Sequence, residues 1–118
     1  MEIHVNPQHG SIEVSQGKEL IFLKVAEIIF IEISDRKTFV HTRDKIYRSR
    51  LNLQECLKQL PDYFMQIGKS QIANIIEIAS INKSLSSTPR ITFHQSEKST
   101  WVSRKYYKAL LNKKRSLL

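Results

Sequence analysis

The chain has 118 residues, 41% hydrophobic and 25% charged, which fits one globular domain with its own core and is too short for two. Glu, Asn, Lys or Ser interrupts the apolar runs every few residues, so no segment is long enough to span a bilayer and no signal pattern opens the chain; a cytoplasmic setting without a membrane partner is expected. The formal net charge of +8 is unevenly spread, with residues 1–35 summing to −4 and residues 36–118 to +12, which favours a polyanionic partner, nucleic acid before anionic lipid.

In chain order, strand signals dominate. Ile3–Val5 and Ile12–Val14 alternate around Asn6-Pro7 and His9-Gly10, which read as turns. Leu20–Leu23 follows a Gln16-Gly17 turn. Glu27–Ile33 is nearly continuous apolar sequence and predicts a strand buried on both faces. Thr38–Thr42 and Lys45–Arg48 flank Arg43-Asp44 and predict a hairpin. Asn52–Leu60 changes period: Leu53, Cys56, Leu57 and Leu60 recur at helical spacing, Asn52 and Glu55 form a capping-box pattern, and Pro61-Asp62 ends the run. Ile75–Ile81 and Arg90–His94 predict strands separated by the polar stretch Asn82–Pro89, and Thr100–Ser103 is placed to pair with Arg90–His94. A second helix is expected from an N-cap at Ser103 to about Asn112, with Val102 and Tyr107 as a hydrophobic staple. Lys113–Leu118 carries no pattern. The fold class is therefore mainly β, an antiparallel multi-strand fold with two short helices. Residues 1–19 form N-terminal strands and turns, and residues 20–118 form the main domain.

Chemistry is argued against more readily than for. His4, His9, His41 and His94 are scattered and have no Cys near them, so no metal site is expected. The single Cys56 sits among leucines as a small core residue and excludes an internal disulfide. The serines lack a nucleophile elbow, and Glu32 and Asp35 are poorly matched as a carboxylate pair. Three glycines provide no phosphate-cradling loop. Neither an enzyme nor a cofactor is expected.

Three basic clusters fall at element ends instead: Arg36-Lys37-Thr38, Lys69-Ser70-Gln71, and Ser103-Arg104-Lys105 with Lys108. Each combines cations for phosphates or guanine edges with a short polar donor. The third breaks a local rule. A helix N-terminus carries partial positive charge, so Arg104 and Lys105 in the first turn cost some tenths of a kcal/mol each. Such a conflict is expected where a bound phosphate reverses it.

These pieces, in this order, resemble the LytTR domain of LytR/AlgR-type regulators from about Leu20 to Leu111. Ile28-Ile29-Phe30-Ile31-Glu32 resembles the family's opening strand, and Leu51–Leu60 its short leucine-rich helix. Phe64–Asn74, reading Phe-Met-Gln-Ile-Gly-Lys-Ser-Gln-Ile-Ala-Asn, resembles its most specific motif. Trp101-Val102-Ser103-Arg104-Lys105-Tyr106 resembles its closing Val-Ser-Arg signature. The resemblance implies an elongated, mainly antiparallel β fold whose loops enter successive major grooves of bent double-stranded DNA. It also implies the output domain of a bacterial transcription regulator of the two-component type, acting as a homodimer on repeated half-sites, either free-standing or joined to a receiver domain on a longer chain. Carried over by position, Lys37 or Thr38, Lys69 and Arg104 would read bases, while Arg36, Ser70, Gln71, Ser103, Lys105 and Lys108 would hold the backbone. Ser70 and Asn74 match nearly fixed positions, Asn74 with a structural role. Gln66 and Gly68 depart from the Arg and His common there, which weakens phosphate contact. The alternatives are a β-rich module for RNA or single strands, with Tyr47, Tyr106 and Tyr107 as stackers, and a basic protein-interaction domain. Phe22, Phe30, Phe39, Phe64 and Phe93 mostly alternate into apolar faces and are expected in the core, which counts against exposed stacking platforms.

Overall fold

The computed structural model describes residues 10–83 and 87–118, so the expected strand Ile3–Val5, the turn at Asn6-Pro7, and His4 and His9 lie outside the described residues. β1 (Ser11–Gln16) and β2 (Glu19–Lys24) form a hairpin closed by Gly17-Lys18. Gly17 has a φ of 58° at the first central position, where a two-residue loop of this kind favours glycine. A 3-10 turn at Val25–Glu27 leads into β3 (Phe30–Ser34), and β4 (Lys37–His41) and β5 (Ile46–Ser49) follow. After α1 (Leu53–Gln59) come β6 (Phe64–Gly68) and β7 (Gln71–Asn74). A second 3-10 turn, Ile75–Glu77, precedes β8 (Ile78–Asn82), β9 (Arg90–Phe93), β10 (Ser99–Trp101) and α2 (Arg104–Ser116).

The strands form two antiparallel sheets, one of seven in the order β2-β1-β5-β4-β3-β7-β6 and one of three in the order β10-β9-β8. The larger sheet separates two cores. Ile12, Val14, Ile31, Val40 and Ile72 meet Leu53, Cys56 and Leu60 of α1 on one face. On the other, Phe30, Ile67 and Ala73 meet Ile78, Ile91 and Phe93 of the small sheet and Leu110 of α2. The result is elongated, 48 × 35 × 26 Å.

The mainly β architecture with two helices is as expected. The capping box is present in full, Asn52 Oδ1 accepting from Glu55 N at 2.8 Å and Glu55 Oε1 accepting from Asn52 N at 2.9 Å. Cys56 is buried, and that burial pushes its thiol up to about 11. The stretch Glu27–Ile33 is buried towards both cores, as its composition suggests, although its first residue belongs to a turn and the strand begins at Phe30.

Several expectations need correction. Ile75–Ile81 is not one strand: its first three residues turn because Asn74 Oδ1 accepts from Ile76 N at 3.1 Å. The hairpin β6–β7 was not anticipated, since its strands are short and a register shift between Gln66 and Gly68 breaks the alternation. Helix α2 runs past Asn112 to Ser116. Lys113, Lys114 and Arg115 favour the negative helix end, and Lys114 Nζ donates to the carbonyls of Ile75 and Ile76. Phe22 is not in the core: it is 69% exposed on the edge strand. Tyr47 is buried and so presents no stacking face, while Tyr106 and Tyr107 lean on the second core.

His41 joins the two sheets. Its ring stacks on Phe30 with centroids 4.0 Å apart, Nε2 donates to Glu32 Oε2 at 2.6 Å, and Nδ1 lies 3.3 Å from Lys98 Nζ in the loop between β9 and β10. An ammonium only donates, so Nδ1 is the bare nitrogen and the ring is neutral. Burial, the largest influence, lowers its pKa below the usual 6.5, Lys98 adds to the fall and the Glu32 bond opposes it. The unfolded chain therefore binds this proton more readily than the folded one. Stability should be fully present above pH 6.5 and should fall as pH drops towards the folded pKa. Thermal denaturation followed from neutral pH to about pH 5 should show that fall, and His41→Gln should flatten it.

Candidate nucleic-acid interface

Strand register places the three basic clusters on one edge of the molecule. Ser34 pairs with Lys37, so Asp35-Arg36 forms the tip of the β3–β4 hairpin. Glu32 of β3 pairs with Gln71 of β7, and Ile33 N donates to Ser70 O at 2.8 Å. The tip of β6–β7, with Lys69 and Ser70, therefore lies beside the first. Ser103 N donates to Ile67 O at 2.8 Å, which seats the N-terminus of α2 against β6 near the second tip. With strands about 4.8 Å apart and packed layers about 10 Å apart, the three elements span roughly 20 Å.

The first tip is strained. Asp35 and Arg36 have φ values of 52° and 61°, as a type I′ loop requires at both central positions, where Asn-Gly is the usual solution. Asp tolerates this region through its short polar side chain; Arg does not, and the cost is about 1 kcal/mol. Arg36 and Lys37 are both exposed. Thr38, expected beside Lys37 as a base reader, is instead 5% exposed and donates to Leu51 O at 2.7 Å, so it holds the chain entering α1. Lys37 alone remains of the two alternatives there.

At the second tip Lys69 is exposed and Ser70 half-buried. Gln71 is turned sideways, its Nε2 donating to Thr100 Oγ1 at 2.7 Å, so it ties this hairpin to β10, the strand that leads into α2. Asn74 is buried as a bracket, Nδ2 donating to Ile28 O at 2.9 Å while Oδ1 caps the following turn. At the third element no acid occupies the first turn of α2, and the N-cap Ser103 makes no side-chain cap bond. Arg104, Lys105 and Lys108 are exposed, and Arg104 Nη2 donates to Ser87 O at 3.1 Å. The amide dipoles and cations here act in the same direction on any nearby anion.

The sequence reading missed Arg50. It follows β5 at this same end, because Ser49 pairs with Thr38, and it lies 3.4 Å from Glu13. A second cation two residues beyond Arg48, at a strand end, was the signal available. Among the described residues no group of His, Cys, Asp or Glu is arranged to hold a metal ion, and no helix is long and apolar enough to cross a membrane.

A family model described as the LytTr DNA-binding domain matches residues 18–115. A Staphylococcus aureus (strain NCTC 8325) protein described as an HTH-type transcriptional regulator is 27% identical over 93 residues, covering 79% of this chain and 63% of the relative. Another, from the bovine strain RF122, is 32% identical over 57 residues, covering 48% of this chain and 39% of the relative. The chain thus spans less than two thirds of these relatives. The solved LytTr DNA-binding domain of a putative methyl-accepting/DNA response regulator from Bacillus cereus superposes with a TM-score of 0.76 at 23% identity, covering 86% of this chain and 96% of that one. That likeness establishes the fold.

The strain at the first tip makes a prediction. Arg36→Gly should raise stability by up to about 1 kcal/mol, the relief of the left-handed strain less the extra entropy of an unfolded glycine. The same change should weaken duplex binding. Paired denaturation and binding measurements check it, and an unchanged or lower stability would remove the strain argument.

Proposed function

Since this chain belongs to the LytTr DNA-binding domain family, and is therefore a DNA-binding domain of a transcription regulator, we propose that it reads double-stranded DNA with the three tips on one edge. The observation that carries this reading is the convergence of Arg36, Lys37, Lys69, Arg104, Lys105 and Lys108, all exposed, on the edge set by the β3–β7 register. Arg104 is assigned to base readout, with Lys69 and Lys37 reading a base or anchoring a phosphate. Arg36, Ser70, Ser103, Lys105 and Lys108 hold the backbone. Gln71 acts by positioning the second tip.

A span of roughly 20 Å falls short of the 34 Å repeat of a helical turn. The outer tips reach successive major grooves across one minor groove when their long side chains extend and the duplex bends towards the protein. Homodimeric binding to repeated half-sites, and attachment of a receiver domain in a longer chain, complete the proposal; the structural neighbour's origin in a putative response regulator supports the latter. The reading assigns no catalytic step, in keeping with a thiol held at about 11 by burial, and places the protein in the cytoplasm with its DNA. For a single-strand platform, Tyr47 is buried and Tyr106 and Tyr107 pack against the core, while the exposed Phe22 and Trp101 stand on different sheets and form no shared row of stackers.

The test is selection of bound duplexes from a random library, with the enriched pool titrated against salt. A recurring motif with steeply salt-dependent affinity is expected. Arg104→Ala should lose about 1–3 kcal/mol of discrimination at one base pair, whereas Lys108→Ala should weaken all sequences alike. Equal losses on selected and random DNA for Arg104→Ala would overturn its base-reading role, and salt-sensitive binding without enrichment would overturn sequence reading altogether.

A further inference from the structure

The outer face of the three-stranded sheet holds a cation that the three tips do not include. Register aligns Asn82 of β8, Arg90 of β9 and Trp101 of β10 in one row, at the end of the sheet from which the chain enters α2. The neighbouring row is Ser80, Thr92 and Ser99. Both rows are free of acidic side chains. Trp101 is 51% exposed, and the Arg90 guanidinium carbon sits 4.8 Å from its ring centroid.

Arg90 is also fixed along its length, Nε donating to Ser99 Oγ at 2.8 Å. The ring contact and this bond brace the guanidinium, and no acidic side chain among the described residues pairs with it. A guanidinium held this way loses little freedom when it grips an anion in fork geometry. Its location selects the anion. Trp101 precedes the N-cap Ser103 by two residues, and Arg104 reaches back to Ser87 O, on the segment leading to Arg90. The face is therefore continuous with the edge assigned to DNA and matches it in charge.

We propose that Arg90, braced by Trp101, is a fourth DNA contact: a clamp on a backbone phosphate flanking the base pair read by Arg104. It extends the footprint on the α2 side and carries no sequence information of its own. This rests on the duplex-binding reading above.

The test uses the full chain and the enriched duplex. Arg90→Gln should lower affinity severalfold on selected and random duplexes alike, leave the selected motif unchanged, and reduce the slope of log affinity against log salt by about one. Arg90→Lys should retain most of the slope but not all of the affinity, because the charge survives and the planar stack does not. Trp101 is the only tryptophan, so its fluorescence reports directly, and acrylamide quenching of the unmodified protein should fall when the duplex binds. An unchanged salt slope in folded Arg90→Gln that still binds the selected duplex would overturn the clamp alone. So would quenching that the duplex does not alter. Failure of the unmodified protein to bind any duplex would overturn both this proposal and the reading beneath it.

Discussion

The pairing of β3 with β7 is the constraint on which the rest depends. β3 and the segment before it divide their side chains between two cores, Ile28 and Ile31 facing α1 while Ile29 and Phe30 face the small sheet. A slip of one residue would exchange these sets and bring Glu32 into the α1 core. The register is therefore fixed by burial, and Asn74 reinforces it through its bond to Ile28 O and its backbone N bond to Ile29 O. With Glu32 opposite Gln71, two hairpin tips from distant parts of the sequence are held side by side. Ser103 N on Ile67 O then adds the third element. The candidate interface is a consequence of core packing, transmitted along strands too short to flex.

Legibility in the sequence follows the range of the forces involved. Helix α1 was readable because its capping box, its apolar spacing and its proline stop are all local. The β3 region was readable because double-sided burial leaves an apolar run. Strands β6 and β7 were not, since four or five residues with a bulge at Gln66–Gly68 have no clear period; only the family resemblance marked that segment. Thr38 and Lys37 are neighbours in a basic cluster, yet strand alternation sends one inward to Leu51 O and leaves the other outside. That choice depends on which face α1 covers, which is a tertiary fact. Phe22 misleads for the same reason: it alternates like a core residue, but no layer among the described residues covers its side of β2.

Several violations of local rules fall together, although Gln95, with a φ of 54°, lies apart in the loop between β9 and β10. The strained Arg36, the helix start without an acid and the N-cap serine whose hydroxyl does not cap all lie along the edge carrying the basic clusters. Each costs a little stability, and together they mark the place where sequence serves something other than folding. Gln71 shows the complement, a polar side chain that aligns two of these elements.

Several of the cations differ between the two ends of the strands. At the far end of the strands Arg43 is bound to Glu77 and His94 O, Lys98 to Lys45 O, and Lys114 to two carbonyls of the 3-10 turn. Those side chains join the two sheets and are already satisfied. Along the other edge Arg36, Lys37, Lys69, Lys105 and Lys108 form no side-chain hydrogen bond to another described residue, and each is exposed. With a Debye length of about 8 Å at physiological salt, repulsion persists only between near neighbours such as Arg36 and Lys37, while charges across the whole edge are largely screened from one another. An incoming phosphate backbone relieves that repulsion and releases its own counterions in the same event. Exposed cations such as Lys18, Lys24 and Lys58 lie elsewhere on the surface, so what distinguishes this edge is the convergence of three hairpin and helix ends that the β3–β7 register imposes.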